Sequence, residues 1–226
     1  IGEGAVFDLY ELEETNTQTT RINNLYMKQE ANSNVQLSTI SLTGGHTRNT
    51  MEIALDGPGA ELNLSGMAVA DGEQHVDNHT TILHNAPHCT SKELMKYVLN
   101  DEATGVFSGL VKVQPGAVQT LSEQTSRNLC ATTKAHAYAR PQLEIYADDV
   151  KCSHGATVGQ LNEAALFYMR QRGISEAEAR MMLMFAFVGE AIDTIRMEAL
   201  RDRLHHLVEK RFRGELGQCK GCKLSV

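Results

Sequence analysis

Over residues 1–160 the apolar side chains come in short runs that alternate with polar ones and stop at glycine, proline or aspartate. Residues 6–12 alternate in part, and 25–27 and 35–42 read as further strands before the break at Gly44 and Gly45. Met51, Ile53 and Leu55 alternate with Glu52 and Ala54 up to the turn Asp56-Gly57-Pro58-Gly59, and Leu62 and Leu64 resume until Gly66. Residues 106–113 run to Pro115-Gly116, and 118–121 follow as another strand. Leu143, Ile145 and Ala147 alternate with Glu144 and Tyr146, the period of a strand with one buried face. After Asp148 and Asp149 residues 150–154 are expected to be extended, and the one helical turn in this region is expected over residues 91–99. Many short strands with such turns predict a barrel, a sandwich or a solenoid. No strict six- or nine-residue repeat separates the solenoid from the others.

At Asn162 the period changes. Asn162 is positioned to cap a helix through Ala165, Leu166, Tyr168 and Met169 to Arg172, with Gly173 ending it. Ser175 to Glu178 form a capping box for a second helix, on which Met181, Met184, Phe185, Val188 and Ile192 make one apolar stripe. Leu183 and Phe187 are apolar too but lie off that stripe. A helix apolar on more than one side is buried twice, either within its own domain or against a partner. A last helix carries Met197, Leu200, Leu204, Val208 and Phe212 and stops at Gly214. The expected division is a β domain over residues 1–160 and a helical domain with a flexible tail over 161–226.

A formal charge of −7 disfavours nucleic acid or an anionic membrane surface as the main partner. The longest apolar run, residues 181–188, is far too short to span a bilayer. No signal-peptide pattern opens the chain, and five scattered cysteines form no disulfide framework, which fits a reducing cytosol. The first residue is Ile1, so an upstream region is expected.

Three stretches carry candidate chemistry. Cys152 and His154 stand two apart in an extended segment and so share a face, with Cα atoms roughly 6 to 7 Å apart. A thiol beside an imidazole suits a soft metal or a nucleophile with its base, and equally a small core residue beside a hydrogen-bonded histidine. The stretch DGEQHVDNHTTILHNAPHC, residues 71–89, puts His75, Asp77 and His79 on one side of a strand and His84 on the other. That spacing favours a hydrogen-bonded surface over a structural zinc site. Cys89 and Cys130 read as core residues. Cys219 and Cys222 form a lone CxxC, half the ligand set of a structural zinc, read as a flexible terminus or an auxiliary metal or redox pair.

PQLEIYADDVKCSHGATVG, residues 141–159, followed by LNEAALFYMRQRGIS, resembles the signature of the SufB/SufD family of iron–sulfur cluster assembly scaffolds. The SufB branch reads closer to EHEAS where this chain has CSHGA, so the resemblance is to the SufD branch. It runs over residues 75–212 and more faintly back to residue 44. It implies a mainly β fold: a right-handed parallel β-helix followed by a small α-helical domain. The absence of tryptophan suits stacked rungs better than a thick sandwich. The resemblance further implies a scaffold without turnover of its own, paired with a SufB-like subunit through the β-helix and bound to a SufC-like ATPase through the helices. Leu183 and Phe187 are then the expected ATPase contact. Cys152 and His154 become half of a site for a nascent cluster, which SufB completes, with no permanently bound cofactor. A homodimer of the isolated chain is left open. Two other classes compete. A carbohydrate-active β-helix needs converging carboxylates, and Asp148 and Asp149 are adjacent and diverge on any strand. The other is an interaction module without metal chemistry.

Overall fold

The computed structural model describes residues 1–216. These divide into two compact units, Ile1–Gln160 and the chain from Leu161 onward. The first holds eleven strands: β1 Val6–Glu14, β2 Thr20–Gln29, β3 Asn34–Thr43, β4 His46–Leu55, β5 Glu61–Ala70, β6 His75–His84, β7 Thr90–Leu99, β8 Thr104–Val113, β9 Leu121–Cys130, β10 His136–Ile145 and β11 Lys151–Gly159. Odd strands form one six-stranded sheet and even strands a five-stranded one, each strand pairing with the strand two before it. Every pairing is parallel. Parallel neighbours exclude hairpins. The result is a β-solenoid of about five turns, as the resemblance implied. β5 begins at residue 61, β7 at 90, β9 at 121 and β11 at 151, so the repeat is close to thirty residues, two strands and two corners per turn.

One corner shows why the chain turns where it does. Gly4, Asn32, Gly59, His88, Gln119 and Asp149 each stand two residues before an odd strand, and all have positive φ, between 53° and 72°. The first five donate their backbone N–H groups to carbonyls of the next rung, as Gly4 does to Ala31 at 2.8 Å, Asn32 to Pro58 at 3.0 Å and His88 to Val118 at 2.9 Å. The left-handed residue swings the chain through the corner and aims its N–H along the stack. Of the six, Gln119 carries the side chain least suited to that region. Gln119→Gly is expected to stabilise the protein by about 0.5–1 kcal/mol, the relieved strain less the added chain entropy. Thermal melting checks this, and an unchanged or lower midpoint contradicts it.

The inner faces of both sheets make the core, with Leu37, Met51, Ile53, Leu55, Leu62, Leu64, Phe107 and Val111 fully buried. Residues 91–99, expected to be a helical turn, are β7 instead. Ser91 and Glu93 point inward with Met95, Tyr97 and Leu99, and these inward polar residues break the apolar alternation. Residues 118 and 119, expected to open a strand, belong to the corner, and β9 starts at Leu121. The chain also begins its rungs at β1, well before residue 44.

The second unit holds α1 Glu163–Gln171, α2 Glu176–Ile192 and α3 Glu198–Phe212. Asn162 Oδ1 accepts the Ala165 N–H at 3.0 Å, and Ser175 Oγ accepts that of Glu178 at 3.2 Å, the caps expected from sequence. Gly173 has φ +86° just past α1. On α2 the stripe is only partly covered: Val188 and Ile192 are buried, while Met181, Met184 and Phe185 are half-buried. Phe185 packs against His205 of α3 with ring centres 5.5 Å apart. No helix is long and apolar enough to cross a membrane among the described residues.

Candidate functional site

β11 is the last strand of its sheet and β10 the last of the other, so both present an unpaired edge at one end of the solenoid. On β11, Cys152 lies in register with Ser122 and His154 with Gln124 of β9. Ser122 and Gln124 are inward and fully buried. Cys152 and His154 therefore share the inner face of the final rung, the common face that their spacing predicts. With no further rung above, that face is open. Cys152 is half-buried, His154 is exposed, and Ile145 and Val158 on the same rung are 43% and 55% exposed.

Below each of the two runs a column of inward polar side chains. In the first, the ring of buried His84 meets Ser91 (Nε2 to Oγ, 2.8 Å), Ser91 meets Ser122 at 2.8 Å, and Ser122 is the register neighbour of Cys152. In the second, Glu93 pairs with Gln124, whose Nε2 donates to Glu93 Oε2 at 2.7 Å, and Gln124 is the register neighbour of His154. Burial lowers the pKa of His84 to about 4 and raises that of Glu93 to about 7. Burial also pushes the Cys152 thiol up, with the Ser122 backbone pulling the other way. Metal capture by this thiol must therefore release a proton.

The donor chemistry fits a soft metal or an iron–sulfur cluster, one thiol and one imidazole on a common face. It is incomplete, because among the described residues no group of three or more histidine, cysteine, aspartate or glutamate side chains converges on a metal position. The histidine-rich stretch goes into rung contacts. The His75 and His46 rings lie tilted with centres 6.0 Å apart, His79 Nε2 lies 2.9 Å from Asp77 Oδ1, and Arg48 bonds the other Asp77 oxygen at 3.0 Å. Cys89 and Cys130 are buried, as expected. Cys219 and Cys222 lie outside the described residues. Leu183 and Phe187 are half-buried on α2. Sequence reasoning missed Ser91, Glu93, Ser122 and Gln124. The signal was there in Ser91-x-Glu93, Ser122-x-Gln124 and Cys152-x-His154, one solenoid repeat apart.

The chain is similar to known proteins over most of its length. The profile of the SUF system FeS cluster assembly SufBD core domain matches residues 1–187. It reaches further back than the resemblance read from sequence and stops within α2, short of residue 212. The iron–sulfur cluster assembly protein SufD of Escherichia coli K12 is 36% identical over 173 residues, 76% of this chain and 41% of that protein. A SufBD family protein of Synechocystis is 36% identical over 183 residues, covering 81% of this chain and 40% of the relative. SufD of Bacillus subtilis is 28% identical over 195 residues, or 86% and 45%. The chain spans about two fifths of the length of the curated relatives it matches. With its solenoid and its profile match, the chain belongs to the SufBD family of iron–sulfur cluster assembly proteins.

Proposed function

We propose that this chain is a SufD-like scaffold whose last rung supplies half of an assembly site for a nascent iron–sulfur cluster. The observation that carries the reading is the placement of Cys152 and His154 together on the inner face of an open terminal rung. A cluster held by protein normally takes four ligands, and this face offers two. The remaining ligands come from a SufB-like subunit docked at the same end. Unpaired strand edges are ready templates for another chain, and the exposed Ile145 and Val158 give that contact apolar area. The cluster is cargo, built and passed on, so the chain carries out no turnover itself and acts in the cytosol. Co-purification with SufB-like and SufC-like subunits, followed by loading with iron and sulfide, tests the reading. A complex containing all three that takes up a cluster supports it; a SufB-like subunit that never co-elutes contradicts it.

The SufC-like ATPase docks on the helical unit, and the support for this is the second apolar flank of α2 at Leu183 and Phe187, only half-covered. Phe187→Asp is expected to weaken ATPase binding about thirtyfold or more, the effect of losing a buried aromatic anchor and burying a charge. Circular dichroism and melting of the variant must match the parent. Retained binding places the contact elsewhere.

A further inference from the structure

Gln124 is fully buried, and its amide nitrogen is committed to Glu93 on the rung below. An amide presents its oxygen on the side opposite that nitrogen. Gln124 Oε1 is buried without a hydrogen-bond partner among the described residues. A buried acceptor left unpaired costs stability and is rare in native proteins, so such an atom calls for a donor. The rung above, about 4.8 Å away, offers His154, the register neighbour of Gln124 and the one side chain at that position with N–H groups to give. The space for this amide is also built. A Cβ at Gly109, on the facing sheet, would stand 2.4 Å from Gln124 Nε2 and 2.4 Å from Phe107 Cζ. Glycine at 109 is what admits the glutamine where it lies.

We propose that Gln124, oriented by Glu93, is a positioning residue for His154: its Oε1 accepts one imidazole N–H and turns the other ring nitrogen, bare, toward the open end. Histidines that bind metals typically give their second N–H to a fixed acceptor, which selects the tautomer and the ring plane. Here that acceptor lies inside the solenoid, reached through a carboxyl one rung deeper. The inference rests on the reading of His154 as a cluster ligand and adds how the ligand is held.

The test is nitrogen-15 NMR of the intact chain, labelled at histidine, at alkaline pH. His154→Ala identifies the resonances. The expected result is one dominant tautomer at His154, with the two ring nitrogens well separated. In Gln124→Leu, and independently in Gly109→Ala, the two shifts move together toward those of a free imidazole, and cluster formation in the full complex falls about tenfold. Averaged tautomers in the unaltered chain overturn the inference, whatever either variant does to folding and whatever His154→Ala does to cluster formation. A fixed tautomer with normal cluster formation in His154→Ala instead overturns the ligand reading beneath it.

Discussion

His154→Ala is expected to lower iron–sulfur cluster formation in cells roughly ten- to a hundredfold while leaving the fold and the composition of the complex unchanged. The two halves of that result have separate causes. His154 is exposed on the terminal rung, so its removal opens no cavity and strands no buried charge. In the proposed half-site its imidazole is one of the two donors, and a site that loses one of its ligands binds its cargo far more weakly. Cys152→Ala is expected to act in the same direction but less strongly, since its half-buried thiol is less accessible than the exposed imidazole of His154. Cluster-dependent enzyme activity in a strain lacking the native subunit reads both variants. Normal activity from both, in a complex of normal composition, returns these residues to ordinary packing.

The second large effect is on stability. Glu93 is fully buried with its pKa raised from 4.5 to about 7, and His84 is buried with its pKa lowered from 6.5 to about 4. The signs oppose. Between pH 4.5 and 7 the folded protein holds the Glu93 proton that the unfolded chain releases, so this group's contribution is present below pH 4.5 and lost as pH rises through 7. For His84 the unfolded chain takes the proton first, so its contribution is present above pH 6.5 and lost as pH falls toward 4. Each change is on the order of 3 kcal/mol. Together they leave stability nearly level between about pH 4.5 and 6.5. Glu93→Gln removes the falling member of the pair. The advantage of the variant over the parent is therefore expected to grow by roughly 3 kcal/mol from pH 4.5 to 7.5. Denaturant unfolding across that range measures it, and parallel stability curves contradict the buried-carboxyl account.

Strands were legible in the sequence where the solenoid interior is apolar, as at Met51, Ile53 and Leu55. They were hidden where it is polar. β7 brings Ser91 and Glu93 inside, and β9 brings Ser122, Gln124, Ser126 and Asn128 inside, so neither shows the expected alternation. A solenoid tolerates this because each inward residue meets its counterpart on the next rung, as Ser91 meets Ser122. The corner hid Val118 for a different reason, an apolar side chain at a turn. At the site, a spacing of two was enough to place Cys152 and His154 on one face. That the face is the inside of a stack, with Gln124 and Glu93 beneath His154, follows only from the parallel register over thirty-residue steps.

On the proposed reading, His154 of this chain is bonded to the cluster at a junction completed by a partner. The most direct measurement combines this chain, labelled with nitrogen-15 at histidine, with an unlabelled SufB-like subunit and the ATPase. The complex is loaded with iron and sulfide, reduced, and examined by pulsed electron paramagnetic resonance. A nitrogen-15 hyperfine coupling of directly bonded strength, absent in His154→Ala, is the predicted result. A cluster formed in full yield with no such coupling contradicts the claim.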